Sequence, residues 1–332
     1  MAKRRRTKTK NKKKQRGKGA LGGFLVALCL IGIMLIYLID TKGELSGSIK
    51  EIFQNTLHNI TSFGEDITAN DIANLDTYGD KLIIYAVDTG NSDCIIIRTP
   101  EEKSMIVDAA DSDDLLKISS TLKSLGISQL NAAVATHPDA DHIGSMGRIV
   151  EAFKPGVVYM PDFKKNTATY KNLMASIEKS GSILELTNAP YSFALGSLHS
   201  TVLNPQQKEY DSANEASIVL LLEYGNTRAL LTGDIETEAL ADVLSIYGDD
   251  LDVDVLKIAH HGSARSTTQA LLDATTPDIA VINAGIDNSY GHPHRETIEL
   301  LQQNDIRILR TDLNGDIALF SDGSAFQYSV AS

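Results

Sequence analysis

From Lys81 onward the apolar residues fall in short runs separated by Gly, Asn, Asp and Ser, and the period of the pattern changes along the chain. The runs 82–87, 94–98 and 105–107 are compact, β-branched and bounded by turn residues, and they predict strands. Over 113–125, Leu115, Leu116, Ile118, Leu122 and Leu125 recur at helical spacing. The same reading continues with a strand at 132–135, a helix from Ile143, a strand at 157–159 and a helix around 170–179. Runs 218–223 and 228–231 flank Gly225-Asn226 and predict a hairpin. Next come a helix at 236–247, a strand at 253–258, a helix at 267–274, a strand at 279–282, a helix at 295–303 and closing strands to Val330. Hairpins mixed with strand–helix units predict an α/β body of packed sheets with helices outside.

Upstream the pattern is of another kind. Residues 20–39 carry no charge, and a helix of twenty residues rises roughly 30 Å, enough to cross a bilayer core. A cleaved signal would need a small-x-small site, which Ile39-Asp40-Thr41-Lys42 does not offer, and Leu28 precedes Cys29 where a lipoprotein signal needs a small residue. The expectation is one uncleaved transmembrane helix. Residues 1–18 hold eleven Lys or Arg and no acid, so the positive-inside rule leaves 1–19 as a cytoplasmic tail. Residues 40–78 then read as an extracytoplasmic stalk and 79–332 as the catalytic body, on a single-pass protein of the cell membrane.

Charge narrows the function. Removing those eleven from the 31 basic residues leaves 20 against 43 acidic ones, a net of −23. Such a body does not grip nucleic acid by charge alone. Cys29 and Cys94 are too few for a disulfide framework, one lying in the apolar segment and the other in a predicted strand.

The chemistry concentrates at strand ends. Thr136-His137-Pro138-Asp139-Ala140-Asp141-His142 follows the strand 132–135 and offers four metal donors in six positions. Leu231-Thr232-Gly233-Asp234 ends another strand in a carboxylate, whose two oxygens can bridge two cations. Ile258-Ala259-His260-His261-Gly262-Ser263 ends a third. Loops at strand ends gather on a rigid scaffold, which is where sites form.

In this order the three pieces resemble the metallo-β-lactamase superfamily, and more narrowly the soluble hydrolase domain of ComEC-type competence proteins. The turn Val87-Asp88-Thr89-Gly90-Asn91-Ser92-Asp93, the strand end Ile106-Val107-Asp108-Ala109 and the loop Asn288-Ser289-Tyr290-Gly291-His292-Pro293-His294 are similar to motifs of that branch. The resemblance runs from about Lys81 to Val330 and implies an αββα four-layer sandwich with two divalent ions, zinc or manganese, at one edge. Carried over by position, His137, Asp139 and Asp234 hold one ion. Asp141, His142, Asp234 and one of His260 or His261 hold the other, with His260 favoured as the residue at the strand end.

The common superfamily pattern has His where this chain has Asp139, and another His where it reads Asn214-Glu215-Ala216-Ser217. A harder first site follows, better suited to manganese or magnesium than a three-His site. Between the ions, a water that loses its proton would attack phosphorus or a carbonyl carbon, with Asp141 and Asp234 orienting it. Asp88, Asp108 and Asn214 are candidates for orienting the ligands, with turn capping as the alternative for Asp88 and Asp108. His292 is assigned to the substrate phosphate or the leaving group, on the expectation that Pro293 opens the next helix. Ser263 and Arg265 are weaker phosphate candidates; His199, Lys257 and Asn288 read as structural.

The expected function is therefore an extracytoplasmic phosphodiesterase or nuclease, with DNA among its substrates. The alternatives are an esterase or lactonase-type acyl hydrolase, or an inactive binding module of a DNA-uptake or wall assembly.

Overall fold

The computed structural model describes residues 78–206 and 209–331. The basic tail, the expected anchor at 20–39 and the stalk up to residue 77 lie outside them. No helix among the described residues is long and apolar enough to cross a membrane.

Fifteen strands form two mixed sheets. In the first, β1 (Leu82–Ala86), β2 (Ile95–Arg98) and β3 (Ser104–Val107) run as an antiparallel meander. The parallel strands β4 (Ala132–Val134), β5 (Val157–Met160) and β6 (Ile183–Leu186) extend it on one side. The last two strands of the chain, β14 (Ile317–Ser321) and β15 (Phe326–Val330), close it on the other.

The second sheet places β7 (Tyr191–Leu195), β8 (Leu198–Asn204), β9 (Val219–Tyr224) and β10 (Thr227–Leu231) antiparallel. Parallel β11 (Val255–Lys257), β12 (Ile279–Ile282) and β13 (Arg307–Arg310) follow.

Three apolar cores follow from the two-residue alternation of the strands. Ile84, Ile97, Met105 and Val134 of the first sheet meet Leu220, Leu222, Leu231, Val255 and Val281 of the second between the sheets. The alternate residues Ile83, Ile96, Ile106 and Val158 face α1 (Leu115–Ser124), α3 (Met146–Phe153) and α4 (Ala168–Ser180) through Ile118, Leu122, Ile149, Phe153 and Leu173. On the far side Leu221, Leu230, Leu256 and Ile282 pack on α5 (Thr237–Tyr247), α6 (Gln269–Thr275) and α7 (Arg295–Gln303). Helices thus cover both outer faces of the sheet pair. Tyr78 belongs to this packing, stacked on Phe320 at 4.1 Å.

Three differences from the sequence pattern matter. The helix expected from Ile143 is two pieces, α2 (Ala140–Ile143) and α3, with Gly144 at the junction. A Cβ on Gly144 would lie 2.6 Å from the backbone of Asp111 and Ser112, so glycine is what lets that loop approach. The strand expected over 253–258 is only Val255–Lys257, which frees the residues after it for the site. The helix at 295–303 begins after Pro293, with His294 as its N-cap. Pro293 therefore does not open it, and His292 lies two residues upstream of the cap in the preceding loop.

Candidate metal centre

Strands β3 and β4 of one sheet and β10, β11 and β12 of the other are parallel where they end, and their C-terminal loops converge. Asp108 follows β3 and braces the loop after β4. Its Oδ1 accepts the Thr136 backbone N–H at 2.8 Å, its Oδ2 accepts the Thr136 hydroxyl at 2.7 Å, and Oδ2 lies 2.8 Å from His142 Nδ1. With Nδ1 fixed, His142 turns Nε2 inward. After β11 the backbone enters the left-handed region at His260 (φ 51°) and His261 (φ 52°), a conformation non-glycine residues adopt at a cost of about 1–2 kcal/mol each. That excursion turns His261 into the centre, its Nδ1 held 3.1 Å from the Asn283 carbonyl and 3.4 Å from Asp93 Oδ1.

Asp141, His142, Asp234 and His261 form one compact group, their donor atoms all within 4.8 Å of one another. Asp234 Oδ2 lies 3.3 Å from His142 Nε2 and 3.8 Å from His261 Nε2, and Asp141 Oδ2 lies 3.6 Å from His261 Nε2. His142 Nε2, His261 Nε2 and Asp234 Oδ1 are buried and have no hydrogen-bond partner among the described residues. Buried polar atoms are nearly always paired. Two imidazole nitrogens and a carboxylate oxygen left over in one spot therefore fit a divalent cation. A second group, Asp93, Asp108 and His142, also converges. It uses the outward nitrogen of His142, and Asp108 is already occupied there by Thr136, so it backs the first group.

The outer half is built differently. His137 is buried, with Nδ1 3.2 Å from the Thr136 hydroxyl and 3.4 Å from Ser217 Oγ. Ser217 Oγ also accepts the Asp234 backbone N–H at 3.2 Å. Asp139 makes no cap for α2 and instead pairs with Lys165 from the loop between β5 and α4.

The remaining expected residues divide. His260, favoured by its place at the strand end, sits beside the group: its Nε2 is 3.8 Å from Asp234 Oδ2, and its Nδ1 is 3.0 Å from Glu236. The geometry thus favours His261 over His260. Asn214 reaches this flank through Glu236 at 3.5 Å. His292 is buried in the wall, its ring 5.3 Å from that of His260 and 6.2 Å from that of His261. Asp88 is not brought to the centre. It pairs with Lys117 and caps Gly90, while its own N–H donates to Asp316 at 2.7 Å, so it organises its turn. Asn288 holds its loop by accepting the Tyr290 and His292 N–H groups, and Arg265 and His199 are exposed. Ser263 Oγ accepts the Arg265 N–H at 3.4 Å.

Two residues gain a place that was not expected for them. Lys257 is fully buried, 2.8 Å from Asp93 Oδ2, and Asp93 in turn faces His261. A buried ammonium is costly unless paired, and this pair stands directly behind a candidate ligand. The relevant aspartate of the turn at 88–93 is therefore its last residue; Asp88 at the other end was the candidate. The available signal was an acid at the end of that turn, two residues before the buried strand β2.

The centre is electrostatically tense. Burial pulls His142 and His261 down, but Asp234 with Asp108, or Asp234 with Asp93, outweighs it and raises both, His261 to about 10. Burial pushes Asp234 up, and the facing His142 and His261 hold it well below the usual carboxylate range. His137 falls to about 3, first by burial and then by His142. His292 falls to about 4, first by burial and then by His260. A cavity of about 900 Å³ lies by Arg98, Ser104 and Asn131 at the opposite strand ends and is lined by none of these residues.

A model of the metallo-beta-lactamase superfamily matches residues 87–285. The ComE operon protein 3 of Bacillus subtilis is 32% identical over 251 residues, 70% of this chain and 32% of that protein. The competence protein ComA of Neisseria gonorrhoeae is 26% identical over 230 residues, 69% of this chain and 30% of that protein. The chain thus spans about a third of the length of these curated relatives. The crystal structure of the metallo-beta-lactamase fold protein YhfI from Bacillus subtilis matches with a TM-score of 0.51 at 10% identity, over 73% of this chain and 100% of that one, a likeness of fold.

Proposed function

We propose, on the premise that this chain belongs to the metallo-β-lactamase superfamily, that its body is a metal-dependent hydrolase of phosphodiesters. The observation that carries the reading is the set of unpartnered buried atoms His142 Nε2, His261 Nε2 and Asp234 Oδ1 beside Asp141. Two imidazoles and two carboxylates suit zinc or manganese. His137, Asp139 and the shared Asp234 are the donors available to a second ion. A divalent ion in such a site supplies Lewis acidity toward a phosphoryl oxygen and makes a water acidic near neutral pH.

The chain's own residues do the rest. Asp108 fixes the His142 tautomer, and Asn283 with the Asp93–Lys257 pair fixes His261; such outer partners commonly contribute 10–100-fold in metal affinity or activity. The Asp141 carboxylate is 36% exposed and lowered in pKa, because His261 and His142 outweigh its burial, so it stays ionised and can orient an attacking water. His292, at about 4, is neutral at physiological pH. As a neutral imidazole it is a poor acid toward a leaving group, and its remaining N–H can donate a hydrogen bond to a phosphoryl oxygen.

The phosphodiester class is supported by the relatives, which carry competence names, and DNA is one candidate substrate. The net of −23 outside the basic tail favours short or single-stranded substrates over a long duplex gripped by charge. The same charge asymmetry, eleven basic residues before the uncharged stretch 20–39, puts the body outside the cytoplasmic membrane in this reading.

The test is turnover by the detergent-solubilised chain of bis-aryl phosphodiesters, dinucleotides and single-stranded DNA, beside lactones and aryl esters, with manganese and with zinc. Asp234→Asn is expected to lower phosphodiester turnover by about 100-fold or more and to reduce bound metal. Turnover confined to esters or lactones would make it an acyl hydrolase, and no turnover with either metal would make it a binding module.

A further inference from the structure

We propose that Lys165 is the resident cation of the outer half of the site. The protein then holds one divalent ion tightly, at Asp141, His142, Asp234 and His261, and uses an ammonium where a second ion would otherwise sit.

The two positions differ in their donors. The inner position has four converging side chains, two of them imidazoles whose outward nitrogens are fixed by a carboxylate or a carbonyl. The outer position has His137, Asp139 and a share of Asp234. The neighbour of His137 from the segment leading into β9 is the Ser217 hydroxyl, already engaged by the Asp234 backbone N–H. A neutral hydroxyl is a weak donor beside an imidazole or a carboxylate. Asp139 is the one carboxylate of the outer half not shared with the inner position, and it is paired with Lys165.

An ion bound by Asp139 would lie within a few ångströms of Nζ. Two positive centres at that separation repel strongly in a partly desolvated site, so the ion and the ammonium compete for the same carboxylate. Lys165 comes from the loop between β5 and α4, and its side chain is 31% exposed, like that of Asp139, so the pair stands at the mouth. An ammonium has three donors. Asp139 takes one, which leaves two for an anionic oxygen of a substrate entering beside the inner ion. Asp139 thereby becomes a positioning residue for Lys165.

This proposal rests on the hydrolase reading for its substrate, but its first readout needs none. The full chain would be loaded with manganese and desalted, and the retained metal counted by elemental analysis alongside the manganese EPR spectrum. Wild type is expected to retain close to one equivalent with an uncoupled spectrum. Lys165→Gln removes the competing charge and should retain a second equivalent, with at least about tenfold tighter second-site binding and a spin-coupled spectrum. Lys165→Arg keeps the charge and should behave as wild type. With a phosphodiester that is turned over, Lys165→Gln should raise KM by about tenfold or more and Lys165→Arg should restore most of it. Two equivalents of similar affinity in wild type, unchanged in Lys165→Gln, would overturn the proposal. Because stoichiometry and spectrum are read without substrate, the inference can fail while the phosphodiesterase reading stands, and the reverse.

Discussion

Each imidazole of the inner group uses one nitrogen for orientation and leaves the other for a cation, and the same carboxylates that orient them also hold protons on them. Asp108 and Asp234 raise His142 against its burial, and Asp234 and Asp93 raise His261 to about 10. A raised pKa means that both rings keep a second proton at neutral pH, and a ligand nitrogen must lose that proton to bind metal. Metal uptake should therefore release protons and tighten as pH rises toward about 10. The sign for stability is the opposite. In the metal-free protein the stabilisation from the raised His261 is complete below its unfolded value of about 6.5 and is lost as pH climbs through about 10. Calorimetric titration with manganese in two buffers of different ionisation enthalpy should report more than one proton released per ion at pH 7, with at least about tenfold tighter binding at pH 8 than at pH 6. Binding that is independent of pH and releases no proton would mean that these two nitrogens are not ligands.

At the scale of elements, what could be read from sequence was what period and strand termination carry. The helix expected over 295–303 is the one observed, and the strands before Thr136, Thr232 and Ala259 end within two residues of their motifs. Three things were not carried by period. Edge strands β6 and β7 have half-exposed, mixed faces, so their alternation is weak. The choice between His260 and His261 depends on two successive left-handed residues, which reverse the facing that strand alternation would give. Lys165 lies in a polar loop far from every motif, and only the folding of β5 beside β4 brings it to Asp139.

The left-handed excursion ends on Gly262, at φ 88°, where an added Cβ would sit 2.5 Å from Pro293 Cβ. Gly262→Ala therefore meets both a forbidden backbone region and a clash with the His292 loop, for a cost of about 2 kcal/mol. Its denaturant midpoint should fall and its retained metal should drop, because His261 is aimed by that turn. A variant with normal stability and full metal content would show that the turn tolerates a side chain.

At the scale of the molecule, the candidate centre joins two halves. Asp141 and His142 come from the short helix α2 that follows β4 in one sheet, and Asp234 and His261 from loops after β10 and β11 in the other. The body is acidic and the first 18 residues are intensely basic, and it is the basic end that predicts a topology. Lys and Arg flanking an uncharged stretch stay on the cytoplasmic side, whereas acidic residues contribute little to orientation. If the expected anchor holds it, the body at 79–332, with 18 basic against 36 acidic residues and a net of −18, would also be repelled by anionic lipid. The expectation is a body facing outward, with access to extracellular phosphodiesters and divalent ions. Protease added to intact cells should remove the body and leave a small fragment carrying the basic tail, detectable by an epitope placed ahead of Lys3. If the body survives in intact cells and is digested only after lysis, it faces the cytoplasm, and the substrates to test become intracellular ones.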